Sequence, residues 1–322
     1  MSEKWSYRLS DYTMKKIKLL LLAVLATVLA SCGSTSTVPI TGRKQHLLVS
    51  DQQVLSLSNE QYTEYMKSAK LSANSSNTAM VRRVGQRLAT AVEAYLRQNG
   101  MADQVSEYQW SFSLVQDNNV NAFCMPGGKI VVYEGLLPVT QNEASLAVVL
   151  GHEIAHAVAR HSAERLSNEY KQQYGLQAIS AVAAGAGVSA GAQQLGALVA
   201  GVGTKLFTAG FSRKQESEAD HMGLVFAAMA GYDPTVATAF WQRMAAQGSG
   251  SASILSDHPS DEKRIADIAK WMPEAQKYYK PQTSAVKTQA KASSAKKSAK
   301  TPSAKGQSQQ AKTGKSYHFS TK

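Results

Sequence analysis

Apolar positions recur at helical spacing along much of the chain and alternate with polar ones in a few shorter stretches. Asp51–Ser68 carries Val54, Leu55, Leu57 and Tyr62. Residues 80–98 carry Val81, Val84, Leu88, Val92 and Leu96, close to a 3.6-residue repeat, and both segments predict helices with one buried face. Gly100 ends the second. Residues 108–115 alternate aromatic or β-branched side chains with polar ones and predict a strand. The turn Met125-Pro126-Gly127-Gly128 leads into another strand, Lys129–Tyr133. Over residues 143–166, Ala147, Leu150, Ile154, Ala157 and Val158 predict one long helix with a buried side. A further helix is predicted over Arg213–Met229, and Gly231-Tyr232-Asp233-Pro234 breaks the chain before the next. The pattern as a whole is α+β and mainly helical, with a few short strands.

The ends follow different rules. Lys15, Lys16 and Lys18 precede an apolar run over 19–29, which closes on Leu29-Ala30-Ser31-Cys32. That order is a secretory signal, and the run is too short for an ordinary spanning helix. A cysteine after Leu-Ala-Ser resembles a bacterial lipobox, so Cys32 is expected to carry lipid and anchor the chain to a bilayer. Met14-Lys15-Lys16 is the better signal start, which places initiation at Met14. Cys124 then has no partner and no disulfide is expected. By analogy with bacterial lipoproteins, the lack of aspartate at Gly33 and Ser34 favours the periplasmic face of the outer membrane.

Residues 1–31 are thus read as signal, 32–45 as lipidated N-terminus and tether, and 46–280 as the folded domain. Val38-Pro39-Ile40-Thr41-Gly42-Arg43 reads as a turn or a clamp strand within the approach to that domain. Residues 172–204 contain no charge, yet their glutamines, serines and glycines predict two close-packed small-residue helices rather than a membrane span. Residues 281–322, rich in Lys, Ala and Ser, cannot bury enough surface to order and are expected to be a disordered, solubilising tail.

The net charge of +12 suggests nucleic acid only until its distribution is read. Five basic and two acidic residues lie in the first 31 positions, nine lysines and no acid lie in 282–322, and the region between is balanced. Nucleic-acid binding needs basic residues organised over a fold, so no nucleic-acid partner is expected.

His152-Glu153-Ile154-Ala155-His156 fits HExxH. Spacing of four puts both imidazoles on one helical face, where they can converge on Zn²⁺, and Glu153 can take a proton from the attacking water. His161, five residues further on, points off that face. A third ligand is sought in Glu216-Ser217-Glu218-Ala219-Asp220, where Glu216 and Asp220 share a face and Glu218 points elsewhere. One carboxylate of such a pair can ligate zinc while the other accepts the free N–H of a ligand histidine. Spacing alone leaves each of these acids equally readable as a solvated helix face.

These motifs, together with Asn121-Ala122-Phe123-Cys124-Met125-Pro126-Gly127-Gly128, Phe211-Ser212-Arg213, His258-Pro259 and Arg264, resemble the CAAX prenyl endopeptidase and heat-shock membrane protease family of zinc metallopeptidases. The likeness is greatest to bacterial periplasmic lipoprotein members. The resemblance implies one zinc per chain held by His152, His156 and Glu216, Glu153 as catalytic acid/base, and Asp220 supporting a ligand. It implies His258 and Arg264 in the cleft as donors to the developing oxyanion, or His258 as an inhibitory extra ligand. It also implies a mainly helical domain with a small β-sheet beside helix 143–166, whose edge strand, Lys129, Ile130, Val131, Val132 and Tyr133, an extended substrate adds to. The expected activity is cleavage of unfolded, misfolded or misassembled cell-envelope proteins. The competing reading is a non-proteolytic periplasmic chaperone or assembly factor.

Overall fold

The computed structural model describes residues 34–183, 210–246 and 262–281. Its strands are β1 (Ser34–Thr37), β2 (Lys44–Leu47), β3 (Ser111–Val115), β4 (Ala122–Met125) and β5 (Lys129–Tyr133). Its helices are α1 (Asp51–Ser68), α2 (Ser75–Gln98), α3 (Ala102–Val105), α4 (Leu137–Thr140), α5 (Glu143–Val158), α6 (His161–Ala183), α7 (Arg213–Met229), α8 (Val236–Ala246) and α9 (Glu262–Tyr278). The architecture is the mainly helical α+β arrangement that the sequence pattern predicts.

The periodic face of α2 is fully buried: Val81, Val84, Leu88, Val92 and Leu96 expose nothing. It packs on α5 and on β3, where Gly85 lies against Phe112 so closely that a Cβ would fall 2.2 Å from the ring. Helix α5 runs through the middle of the core, with every residue from Ser145 to Val158 buried. That fits a helix apolar nearly all round. Asn142 caps it by accepting from the Ser145 amide at 2.8 Å. Helix α7 opens on a capping box between Ser212 and Gln215, which puts Glu216 in its first turn and Asp220 one turn later.

The packing of α5 on α7 is set by two glycines. A Cβ on Gly151 would lie 2.6 Å from the Gly223 carbonyl oxygen, and one on Gly223 would lie 2.6 Å from the His152 amide nitrogen. Backbone meets backbone there, which only glycine permits.

Three expectations change. Strand β5 is the centre of its sheet, not the edge: the order is β3-β5-β4, with β3 parallel and β4 antiparallel to it. Lys129, Ile130, Val131, Val132 and Tyr133 are therefore paired on both sides. The sequence shows why, since Ile130, Val131 and Val132 form an apolar run buried on both faces, the mark of a central strand. One end of β3 is occupied by Leu71 opposite Val115, with Ser72 and Gln116 making flanking hydrogen bonds. Among the described residues no strand pairs with the outer side of β4.

The helix predicted over 143–166 is two helices. Arg160 adopts φ 56°, held by Glu107 at 2.8 Å and Asp51 at 3.1 Å, while the Gln45 amide caps the Ala159 carbonyl at 2.9 Å. Those contacts outweigh the cost of a left-handed residue and turn the chain into α6. Residues 34–37, expected as tether, form β1 and pair antiparallel with β2. The loop between them sinks Val38 into the core and ties the Ile40 amide to the Tyr95 hydroxyl at 3.2 Å. Most of 172–204, the signal-like segment and nearly all of the basic tail lie outside the described residues. Among those described, no helix is long and apolar enough to cross a membrane.

Gly223→Ala tests the crossing. The added methyl meets backbone that cannot rotate away, so stability should fall by about 1–3 kcal/mol. Urea unfolding in the presence of chelator measures it; an unchanged midpoint would mean that the helices can separate without loss.

Candidate metal centre

His152 and His156 stand one turn apart on α5 with their Nε2 atoms 3.0 Å from each other. The Glu216 carboxylate faces both, its Oε2 3.5 Å from His152 Nε2 and its Oε1 3.5 Å from His156 Nε2. The ligand-capable atoms of the three residues all lie within 4.8 Å of one another, and all three residues are buried. Two imidazole nitrogens and a carboxylate oxygen are a donor set that fits a catalytic zinc site.

The electrostatics agree. Burial opposes charge on His152, but Asp220 and then Glu216 overcome it and raise its pKa to about 9. The place in front of Nε2 thus attracts positive charge, as a metal position should. Behind the ring, Asp220 Oδ1 lies 2.8 Å from His152 Nδ1. A carboxylate can only accept, so Nδ1 carries the proton and Nε2 presents its lone pair. Burial alone would raise the Asp220 pKa; Arg264 and His152 outweigh it and hold the carboxyl ionised.

Arg264, expected in the cleft as a donor to the oxyanion, makes its contacts here with the acids of α7. Its guanidinium forks onto Asp220, Nε to Oδ2 at 2.6 Å and an NH₂ to Oδ1 at 2.7 Å, and reaches Glu216 Oε2 at 3.4 Å. It is buried, with its carbon 3.7 Å from the centroid of the Trp241 ring. Its charge thus serves the two buried carboxylates, Asp220 and Glu216. Glu153 is buried on α5 near β4, close enough for its charge to add to the burial that keeps the Cys124 thiol protonated. Glu218 does point away from the three-residue cluster. His258 and Cys32 lie outside the described residues.

Two partners of His156 went unread in the sequence. Phe211 stacks on its ring at 4.0 Å, and His161 Nδ1 lies 2.9 Å from its Nδ1. On one continuous helix His161 would sit about 140° round from His156. The turn at Arg160 brings it back, and a left-handed arginine leaves no mark in a sequence pattern.

The family profile of peptidase family M48 matches residues 75–272, which holds every residue of this cluster. The chain belongs to peptidase family M48. It is 42% identical over 176 residues to the mitochondrial metalloendopeptidase OMA1 of Schizosaccharomyces pombe, covering 53% of this chain and 49% of that protein. It is 31% identical over 249 residues to the human metalloendopeptidase OMA1, covering 74% and 46%. Against the β-barrel assembly-enhancing protease of Escherichia coli it is 31% identical over 162 residues, covering 48% and 33%. The chain spans half or less of each of these relatives. The match runs from the start of α2 into α9 and so takes in α5 with the HExxH motif and α7 with Glu216.

Asp220→Asn should lower zinc affinity by ~10–100-fold without unfolding the M48 domain. Both Asp220 oxygens accept from Arg264, so an amide nitrogen at either position meets a donor. Placed toward His152, it would also force the proton onto Nε2. Competition with a chromophoric chelator measures the affinity, and a wild-type value would remove Asp220 from the support of the ligand.

Proposed function

We propose that this chain is a zinc-dependent endopeptidase that hydrolyses peptide bonds in unfolded, misfolded or misassembled cell-envelope proteins. The observation that carries the reading is the convergence of His152 and His156 on α5 with Glu216 of α7, next to Glu153 and beside β4, whose outer side pairs with no strand among the described residues. Zinc held by the three ligands would polarise the scissile carbonyl and acidify the attacking water. Glu153 takes the water's proton and later delivers it to the leaving amine. Asp220 keeps His152 in the ligating tautomer, and Arg264 acts through Asp220 as a positioning residue.

Substrate presentation falls to β4 rather than β5. This strand packs on α5, so a polypeptide added along its outer side by main-chain hydrogen bonds would run past Glu153. Phe123 of β4 sits edge-on between Tyr65 and Tyr133, at 5.3 and 6.3 Å, giving that part of the sheet an aromatic face suited to apolar side chains. Such recognition reads backbone more than sequence and selects extended, unfolded chain. The name of the E. coli relative refers to β-barrel assembly, which favours envelope proteins as substrates. The signal-like N-terminus and Cys32 favour a lipid anchor at the periplasmic face of the outer membrane, as in the bacterial lipoprotein members that the motifs resemble.

The test is full-length protein with a reduced, carboxymethylated polypeptide. Cleavage should stop on chelation and return with zinc. Glu153→Gln should keep zinc, bind the polypeptide and cut ~10²–10⁴-fold more slowly. Binding without cleavage by the zinc-loaded wild type would instead identify a chaperone.

A further inference from the structure

The two motif histidines need the same tautomer, with the proton on Nδ1 and the lone pair on Nε2. His152 gets it directly from Asp220. Against His156 Nδ1 stands His161, Nδ1 to Nδ1 at 2.9 Å. A neutral imidazole carries one N–H, so one ring must donate and the other accept. The choice is made one step further out. His161 Nε2 lies 3.0 Å from Glu218 Oε2, and a carboxylate only accepts. As a neutral imidazole, the fully buried His161 faces that carboxylate with Nε2 and so places its single proton there. Its Nδ1 is then a lone pair, His156 must donate to it, and His156 Nε2 is left bare and aimed at the site.

Glu218 is itself held from outside the motif helices. The Thr41 hydroxyl donates to Oε1 at 2.5 Å and Arg43 Nε donates to Oε2 at 2.8 Å. The rest of the Arg43 fork grips Glu164, at 2.6 and 3.0 Å, three residues after His161 on α6, the helix that bears both. Gln215 of α7 donates to the same Glu164 at 2.9 Å. One arginine in the loop between β1 and β2 therefore fixes α6 and α7 together at the point where His161 meets Glu218.

We propose that Thr41, Arg43, Glu218 and His161 form a line of positioning residues that sets the tautomer and ring orientation of the metal ligand His156. The segment leading from Cys32 into the domain is then part of the metal centre and not only a tether. This rests on the reading of His156 as a ligand.

The experiment measures zinc affinity by chelator competition and the cobalt-substituted absorption spectrum on full-length protein. His161→Leu leaves the His156 N–H without an acceptor and should weaken zinc binding by ~10–100-fold, with an altered cobalt spectrum. His161→Gln offers an amide oxygen to His156 and an amide N–H to Glu218, and should restore affinity to within about threefold of wild type. A merely structural role would lower the unfolding midpoint of both variants without separating their affinities. Arg43→Met, at the outer end of the line, should weaken zinc binding several-fold in a folded protein even if His161→Leu fails to fold. Equal affinities for His161→Leu and wild type, equal loss in the Leu and Gln variants, or wild-type affinity in folded Arg43→Met would each overturn the proposal. His156→Ala run alongside separates the failures: if it retains zinc, the ligand assignment itself is wrong.

Discussion

The contact between Gly151 and Gly223 is the constraint on which the rest of the centre depends. It brings the backbones of α5 and α7 together, with Gly223 set against the His152 amide. At ordinary helix separations of 8–10 Å, short acids on one helix would not reach histidines on the other with this geometry. Here Glu216 and Asp220, one turn apart on α7, reach the front and back of His152, which follows Gly151. Packing and chemistry are therefore one feature: the glycines matter for the distance they allow between side chains that are not their own.

That closeness concentrates charge in a buried place. Glu153, Glu216, Glu218 and Asp220 all lie in the interior, where an unpaired carboxylate would cost several kcal/mol. The fold answers with two arginines, Arg264 across Asp220 and Glu216, and Arg43 across Glu218 and Glu164. Burial would raise the Glu218 pKa, but His161, Arg43 and Thr41 draw it down to about 2. A divalent cation in front of the two Nε2 atoms would complete the balance.

The parts of this arrangement that depend on regular helical spacing were legible in the sequence. His152, Glu153 and His156 are fixed by a repeat of four, as are Glu216 and Asp220, and the capping box at Ser212 lets α7 begin where the pattern says. The resemblance in the flanking motifs joined the two groups. What escaped depends on breaks in regularity or on long-range pairing. Arg160 takes a left-handed conformation because Glu107 and Asp51 reach it from other elements, so the fate of His161 could not be read from local pattern. Strand order is a non-local property, and β5 was taken for an edge although its unbroken apolar run argues for a centre. The resemblance put Arg264 in the cleft, but its fork onto Asp220 and Glu216 joins two elements and could not be read from spacing. Polar residues 34–37 looked like tether because their value lies in pairing with β2.

The account stands on three side chains presenting two imidazole nitrogens and one carboxylate to a single zinc. Zinc K-edge X-ray absorption on the purified, zinc-loaded protein tests that most directly. It should show two imidazoles with Zn–N at about 2.0–2.1 Å and the remaining shell filled by oxygen at about 2.0–2.2 Å. A sulfur shell at about 2.3 Å, as ligation by Cys124 would produce, or the absence of imidazole scattering, would contradict it.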